Sequence, residues 1–170
     1  MRWEELDQQP CSLSRTLAVV GDRWTLLVLR DCFLGVRRFD EFEKRLGVTR
    51  HVLADRLKKL VQHGVLVKVP YQQRPLREEY RLTERGLELH PAIMALVSWG
   101  DRHMADERGA PIRHIHKGCG QAMRPITVCS ECGEPVGARD VQVEVGEGWQ
   151  DAAGDMPPAM LVPHTPHGNS

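Results

Sequence analysis

Apolar positions recur every three or four residues through the first part of the chain, a spacing typical of amphipathic helices. Glycines at positions 21, 35, 47 and 64 separate the apolar stripes, and glycine commonly follows the last turn of a helix. The pattern predicts four helices with these bounds: Ser12 or Ser14 to Val20, Arg23–Phe33, Phe39–Leu46 and Thr49–His63. In the second of them we expect Trp24, Leu27 and Val28 to face the core.

The helix at Thr49–His63 has two contrasting faces. Its apolar arc contains Leu53, Leu57, Leu60 and Val61, whereas its opposite arc is polar and largely basic. The helix before it ends at Gly47, and the chain turns at Val48. This order is typical of a helix-turn-helix unit.

After Gly64 the helical pattern gives way to residues that favour strands. Val65–Val69 and Glu79–Leu82 are predicted as the two strands of a hairpin, joined by the loop Gln72–Arg77. An arrangement of two helices joined by a turn and followed by a two-stranded wing is suited to presenting the second helix to the major groove of duplex DNA. The expected fold class is therefore α+β, mainly α, with a winged helix-turn-helix domain.

Thr83 is expected to cap a long helix that runs to about Met104 and is kinked at Pro91. The helix is more apolar than one contact face requires. We therefore expect residues 84–104, together with the N-terminal region, to pair with a second copy of the chain. The alternative is that this helix only covers its own domain.

The net charge of zero hides a separation of charges along the chain. Residues 37–77 carry eleven Lys/Arg and four Asp/Glu, whereas residues 140–170 carry five acidic residues and no Lys or Arg. A basic block of this kind is expected where phosphates are neutralised, and its coincidence with the helix-turn-helix pattern favours DNA over a merely solvated surface.

Side chains from the N-terminal part of a recognition helix reach base edges, so Thr49, Arg50, His51 and Asp55 are the expected base contacts. Arg50 is suited to guanine and Asp55 to cytosine. The residues expected at the DNA backbone or the minor groove are Lys58, Lys59, Arg37, Arg38 and, on the wing, Arg74 and Arg77.

Two side chains of the predicted helix Thr49–His63 have alternative roles as partners of other side chains in the protein. Asp55 can pair with Lys58 or Lys59, and Arg56 is expected to form an intramolecular salt bridge.

Two segments near the C-terminus, His116–Gly120 and Cys129–Gly133, have the form ligand-x-x-ligand-Gly. Such turns direct backbone amides at thiolate sulfur, and the glycine permits the required backbone geometry. They predict one structural zinc ion in a zinc-ribbon-like β module, with Val141–Val145 as a further strand. The four expected ligands are His116, Cys119, Cys129 and Cys132. His114 is an alternative ligand, and a disulfide with a spare thiol is the competing interpretation.

Several spaced segments of residues 10–104 resemble HxlR-type winged-helix regulators. They are Cys11 with Leu17, Gly21–Arg30, Arg37–Phe39, Val52–Leu57, Glu79–Thr83, Gly86 and Trp99-Gly100. The resemblance implies a homodimeric bacterial transcription factor that binds a palindromic operator with the helix at 49–63 in the major groove. Some members of that family use the cysteine at the Cys11 position to sense oxidants or electrophiles.

Cys11 directly precedes the first predicted helix, with Arg15 one turn later, a setting that permits a lowered thiol pKa. The alternative is a small apolar residue without reactivity. Cys32 lies in an apolar helix and is expected to be inert.

Three domains are expected: 1–108 for DNA binding and dimerisation, 109–149 for the zinc module and 150–170 as a disordered tail.

Met1–Glu5 lacks the apolar core of a signal peptide, and the longest apolar run, Ala92–Val97, is too short to cross a bilayer, so we expect a cytoplasmic protein. The sequence contains neither a paired general acid and base nor a Gly-rich phosphate-binding loop, so we do not expect an enzyme. A protein-interaction adaptor is the remaining alternative to a transcriptional repressor.

Overall fold

The computed structural model describes residues 7–144 and 146. In chain order the elements are α1 Ser12–Val20, α2 Arg23–Phe33, α3 Phe39–Leu46, α4 Arg50–Gln62, β1 Leu66–Gln73, β2 Leu76–Leu82, α5 Glu84–Leu87 and α6 His90–His103. The predicted winged helix-turn-helix fold is confirmed. No helix in the described part of the chain is long and apolar enough to span a membrane.

The chain divides into two compact units, one formed by Thr16–Pro125 and the other by Met1–Arg15 with Ile126–Ser170. The domain boundaries expected at 108/109 and 149/150 stay predictions. The tail predicted at 150–170 lies outside the described residues.

Local caps fix the starts and ends of the helices where the sequence predicts them. The Asp22 carboxylate accepts hydrogen bonds from the backbone N–H groups of Trp24 (3.0 Å) and Thr25 (3.3 Å), which satisfies donors at the first turn of α2. Gly47 closes α3 with a φ of 61°, a left-handed conformation that favours glycine. Thr49 and His63, the predicted ends of the fourth helix, are the caps of α4.

The core lies between α2, α3, α4, the start of β1 and α6. Its buried apolar residues are Val20, Val28, Leu29, Phe42, Leu53, Leu57, Leu60, Val65, Leu66 and Ile93. The predicted leucine stripe of α4 is therefore confirmed, with Val61 half-buried beside it. On α2 the expectation holds for Val28 but is wrong for Trp24 and Leu27, which are half-buried, because α2 turns Thr25 and Leu29 inward with Val28.

A buried carboxylate joins α2 to α3. The side chain of Asp31 is fully buried and forms ion pairs with Arg30 (2.8 Å) and Arg45 (3.2 Å). Both arginines are partly exposed, so each covers the carboxylate while its own charge keeps contact with water.

The wing is an antiparallel hairpin of β1 and β2, paired from Leu66↔Leu82 to Gln73↔Leu76. The pairing shifts between Pro70 and Gln72, which leaves Tyr71 at an irregularity. The predicted loop Gln72–Arg77 is too long, because its outer residues continue the strands and only Arg74 and Pro75 form the turn.

The single long helix expected after Thr83 is wrong. The chain forms the short helix α5 and then α6, with Pro91 in the first turn of α6. Proline lacks the N–H that a continuous helix would need, whereas the first turn of a helix leaves that donor without a helical partner anyway. Thr83 still caps α5, accepting a 3.1 Å hydrogen bond from the backbone N–H of Gly86.

The segment after α6 contains turns and two isolated β-bridges, Ile115↔Ala122 and Val128↔Pro135. The further strand expected at Val141–Val145 is absent over residues 141–144, and Val145 lies outside the described residues.

Candidate nucleic-acid interface

The outer side of α4 is presented to solvent because its inner side is anchored by three buried leucines, Leu53, Leu57 and Leu60. All ten residues expected to contact DNA are exposed except Lys59, which is half-buried: Arg37, Arg38, Thr49, Arg50, His51, Asp55, Lys58, Lys59, Arg74 and Arg77. The surface that we expect to contact DNA is therefore accessible to solvent.

Arg50, the first residue of α4, has two neighbours from α3. Its Nη1 lies 2.6 Å from Oε2 of Glu43, and its guanidinium carbon lies 4.8 Å from the ring centre of Phe39. The Arg50 side chain nevertheless remains 71% exposed. An exposed ion pair contributes only about 0–1 kcal/mol, so the guanidinium can exchange Glu43 for a base edge at small cost.

His51 and Asp55 lie one helical turn apart and face each other, with 3.4 Å between His51 Nε2 and Asp55 Oδ2. The alternative pairing of Asp55 with Lys58 or Lys59 is therefore wrong. The interaction expected for Arg56 is confirmed, since its Nε lies 2.9 Å from Oδ1 of Asp22, the residue that caps α2.

Five cations of the expected surface make no ion pair with the described residues: Arg38, Lys58, Lys59, Arg74 and Arg77. Their charge is not cancelled by a carboxylate of the protein, which suits contact with phosphate. On the wing, two other cations are balanced by neighbours: Lys68 pairs with Glu78 (3.1 Å) and Arg81 with Glu79 (2.6 Å).

The two arginines before α3 are held by their surroundings. The Arg38 guanidinium lies 4.5 Å from the ring centre of Tyr71, and Arg37 Nη1 lies 3.9 Å from Glu79 Oε1. Both backbone N–H groups point at the Glu41 carboxylate, at 3.4 Å from Arg37 and 3.2 Å from Arg38. Any phosphate contact at this helix start is therefore made by the side chains.

Sequence reasoning missed Glu43 and Tyr71. Glu43 precedes Arg50 by seven residues across the turn, and Tyr71 belongs to the wing, so neither contact with its arginine follows from helical periodicity. For Glu43, the available signal was an acidic residue in the last turns of α3, close to the turn that leads into α4.

The two N-terminal cysteines have opposite environments. Cys11 is exposed, and hydrogen bonds from the backbone and side chain of Ser14, followed by one from the backbone of Leu13, lower the pKa of its thiol. Burial, with the nearby Asp31 charge, raises the pKa of Cys32 to about 12. Cys11 thus combines exposure with a lowered thiol pKa, whereas Cys32 stays protonated at neutral pH.

The expected metal ligands occur as two pairs, each in its own turn. His116 Nδ1 lies 3.3 Å from Cys119 Sγ in the first turn. In the second, hydrogen bonds from the backbone of Cys132 and Glu131 lower the pKa of Cys129. Within residues 7–144 and 146, no three His, Cys, Asp or Glu side chains form a group that could hold a metal ion.

A cavity of about 360 Å³ lies beside α6 in the Thr16–Pro125 unit, a volume within the range of small-molecule sites. Its lining residues include Arg30 and Phe33 of α2 and Met94 and Val97 of α6. The outer side of α6 exposes Leu96 (57%) and Trp99 (55%), whose side chains contribute nothing to the core.

The likeness of this chain to known proteins agrees with this geometry. The family described as HxlR-like helix-turn-helix matches residues 19–108. An uncharacterized HTH-type transcriptional regulator of Mycobacterium tuberculosis is 45% identical over 139 residues, which cover 82% of this chain and 88% of the relative.

Two solved structures are also similar. PA1607, described as a candidate transcription factor, has a TM-score of 0.72 and 37% identity, covering 81% of this chain and 96% of PA1607. The redox regulator HypR in its reduced form has a TM-score of 0.51 and 30% identity, covering 54% of this chain and 92% of HypR. The chain belongs to the HxlR-like helix-turn-helix family of transcriptional regulators.

Proposed function

We propose that the protein is a sequence-specific repressor that binds a palindromic operator as a homodimer. α4 enters the major groove, and Arg50, His51 and Asp55 in its N-terminal half read base edges. Lys58 and the wing arginines Arg74 and Arg77 neutralise phosphates beside that groove.

The observation that carries this proposal is the two-sided character of α4. Leu53, Leu57 and Leu60 are buried under it, whereas the basic and polar residues of its other side are exposed. A helix fixed from below by leucine packing presents its outer side in a defined orientation, which direct reading of bases requires.

Dimerisation is supported by apolar side chains that the single chain leaves in water. Leu96 and Trp99 lie three residues apart on α6, and Leu13 (65% exposed) and Leu17 lie four apart on α1. Stripes of this spacing are typical of helices that pack against a partner. A twofold dimer would place two copies of α4 on two half-sites, which is why the operator is expected to be palindromic.

Repression follows from occupancy in this proposal, because a dimer that spans two half-sites blocks the promoter DNA it covers. The protein would act in the cytoplasm, where that DNA lies.

Selection of bound fragments from a pool of random duplexes tests the proposal directly. A repressor of this kind enriches one inverted repeat, and its affinity for that repeat falls steeply as salt is added. Repression itself is checked with a reporter gene placed behind the selected operator. A protein-interaction adaptor would enrich no sequence, and that result would refute the proposal.

Redox or electrophile sensing through Cys11 is a second candidate function. It is favoured by the exposed Cys11 thiol with its lowered pKa and by the likeness to HypR, which is named a redox regulator. Treating the reduced protein with a thiol-reactive electrophile should change operator affinity in the wild type but not in Cys11→Ser. Equal responses of the two proteins would remove this function.

A further inference from the structure

The cavity beside α6 is built from a single unit of the chain. Its walls come from α2, from α6 and from the segment between Pro111 and His114, all within Thr16–Pro125. It measures about 360 Å³, and most of the side chains that line it are apolar. A concave, mainly apolar site with a few polar groups is typical of small-molecule binding. The polar groups therefore indicate which class of molecule fits.

Gly100 leaves part of this cavity open. It lies within α6 and lines the cavity, although a helix is less stable with glycine than with alanine. Neither usual reason for glycine applies, because its φ is outside the left-handed region and a Cβ built on it meets no other part of the described chain within 4 Å. At Gly86, by contrast, a Cβ would lie 2.3 Å from a backbone oxygen. The missing side chain of Gly100 thus provides space rather than close packing.

Arg30 supplies a positive charge to the cavity wall. Its Nε and Nη2 donate hydrogen bonds of 3.0 Å and 2.8 Å to Oδ1 of Asp31, and neither bond uses Nη1. Arg45 pairs with the same carboxylate at 3.2 Å, so two guanidinium groups share one negative charge. The side chain of Arg30 also remains 40% exposed. The excess positive charge therefore favours a ligand with an anionic group.

Asp101 lines the same cavity from α6 and makes no ion pair with the described residues. A carboxylate accepts hydrogen bonds and repels a second anion. A ligand that places its acid group at Arg30 therefore needs a donor, such as a hydroxyl group, at Asp101. The two histidines of the lining, His90 and His114, add ring nitrogens that donate or accept hydrogen bonds.

Aromatic rings form another part of the wall. The rings of Phe33 and His90 meet edge to face, with 4.9 Å between their centres. Met94, a further residue of the lining, is buried, and its thioether sulfur is suited to contact with an aromatic ring. Such surroundings favour a flat aromatic ligand.

We propose that this cavity binds a small aromatic acid that also carries a hydroxyl group. The carboxylate of the ligand pairs with Arg30, and its hydroxyl group donates a hydrogen bond to Asp101. The aromatic body packs on Phe33 and Met94 and extends into the space at Gly100.

A ligand in this cavity acts on the helices that support α4. α2 packs against both α4 and α6, and the cavity lies against α2 and α6. A ligand that fits one arrangement of these helices better than another shifts the population towards that arrangement and changes the affinity for DNA. The aromatic acid is therefore an effector, a role that rests on the proposed repressor function.

Fluorescence titration of the full chain without DNA tests the site. The probe is a hydroxynaphthoate with its hydroxyl and carboxylate groups at opposite ends of the fused rings, compared with naphthoate and naphthol, which each lack one group. We expect the hydroxynaphthoate to bind about 10-fold more tightly than either. Arg30→Gln should weaken binding of the two acids about 10-fold and leave naphthol binding unchanged, which also shows that the variant is folded. Equal binding of all three probes, or no binding of the hydroxynaphthoate, would overturn the proposal.

Gly100→Leu tests the location of the site and keeps every polar group. Leucine favours a helix, and the open space at Gly100 admits its side chain, so the variant should fold and bind the hydroxynaphthoate at least about 10-fold more weakly. Ala95→Leu, on α6 but outside the lining of the cavity, is the matched control and should bind as the wild type does. Wild-type affinity in Gly100→Leu would overturn the proposal. Loss of the dimer in Gly100→Leu alone, measured by sedimentation equilibrium, would assign this space to the partner copy and overturn it as well.

Operator binding then tests the effector role. The hydroxynaphthoate should change the affinity of the wild type for its selected operator by about fivefold or more, and should leave that of Gly100→Leu unchanged. Probe binding without any change in operator affinity would refute the effector role. Because the titration needs no DNA, failure to select an operator would refute the proposed repressor, whereas the titration alone decides on the site.

Discussion

Nη1 of Arg50 lies 2.6 Å from Oε2 of Glu43, so the first residue of α4 is bound to the helix that precedes it. In the proposed complex the same guanidinium pairs with a guanine, and a bidentate contact that uses Nη1 requires it to leave Glu43. In that complex Glu43 would therefore compete with the DNA for Arg50.

Replacing Glu43 by glutamine should strengthen operator binding, because it removes both the competing carboxylate and a negative charge beside the groove. We expect a gain of at most about 1 kcal/mol, roughly fivefold in affinity. Arg50→Ala should instead cost about 1–3 kcal/mol and relax the preference at one base pair. Fluorescence anisotropy with the operator and its single-base variants measures both effects.

A double-mutant cycle separates the two contributions of Glu43. The gain from Glu43→Gln should shrink in the Arg50→Ala background, where only the general repulsion of phosphate remains. A gain of the same size in both backgrounds would show that Glu43 does not restrain Arg50. If Arg50→Ala weakens binding to all duplexes equally, Arg50 contacts phosphate rather than a base.

The helix-turn-helix unit could be predicted from the sequence because its signals are local. The spacing of Leu53, Leu57 and Leu60, the cap at Asp22 and the glycine at Gly47 act within a few residues, and all three are confirmed. The side-chain contacts at the candidate DNA-binding surface could not be predicted from the sequence in the same way. Arg50 with Glu43 and Arg38 with Tyr71 depend on how separate elements meet, which periodicity does not encode.

The break between α5 and α6 shows a second limit of sequence reasoning. A proline after Leu87 is compatible with a kinked helix and with the first turn of a new one. α5 also packs closely against the backbone just before β1, where a Cβ at Gly86 would lie 2.3 Å from the carbonyl oxygen of Val65, and helical periodicity does not predict such a contact.

Lys58 and Arg74 should contribute to affinity without contributing to sequence preference. Neither forms an ion pair with the described residues, so each is free to replace counterions on phosphate. Lys58→Ala and Arg74→Ala should each weaken binding to every duplex and lower the slope of log affinity against log salt by about 1. Arg102→Ala, in the last turn of α6, is the control and should leave the slope unchanged.

The buried Asp31 carboxylate should matter for stability rather than for binding. Asp31→Asn keeps the size of the side chain but removes the charge that pairs with Arg30 and Arg45, and we expect a loss of about 1–3 kcal/mol in the free energy of unfolding. Urea denaturation followed by circular dichroism measures it. Asp106→Asn removes an exposed partner of Arg108 and serves as the matched control, with no measurable loss expected. Equal stability of the two variants would contradict a structural role for Asp31.

Cys11 and Cys32 should react with thiol reagents in different pH ranges. The hydrogen bonds from Ser14 and Leu13 lower the pKa of Cys11, so at a given pH its thiolate fraction and its labelling rate should exceed those of an ordinary cysteine. The pKa of Cys32 is raised to about 12, so in the folded protein its thiolate fraction, and with it the labelling rate, stays small until the solution is strongly alkaline. Mass spectrometry of alkylated peptides measures both rates, with Cys11→Ser to identify the fast site. Labelling of Cys11 only above the pH where an ordinary cysteine reacts would contradict its lowered pKa.

Trp99 and Leu96 should hold the homodimer together. Their exposed side chains lie three residues apart on α6, and Trp99 also packs on the His103 ring with 5.1 Å between ring centres. A glutamate at either position places a charge in the proposed apolar interface, and we expect the dimer dissociation constant to rise by roughly 30-fold or more. Sedimentation equilibrium measures it. Leu76→Glu, at an equally exposed leucine on the wing, is the matched control and should leave dimerisation unchanged. If Trp99→Glu and Leu76→Glu dissociate alike, α6 does not form the interface. The palindromic operator would then require another surface to bring two copies of α4 together.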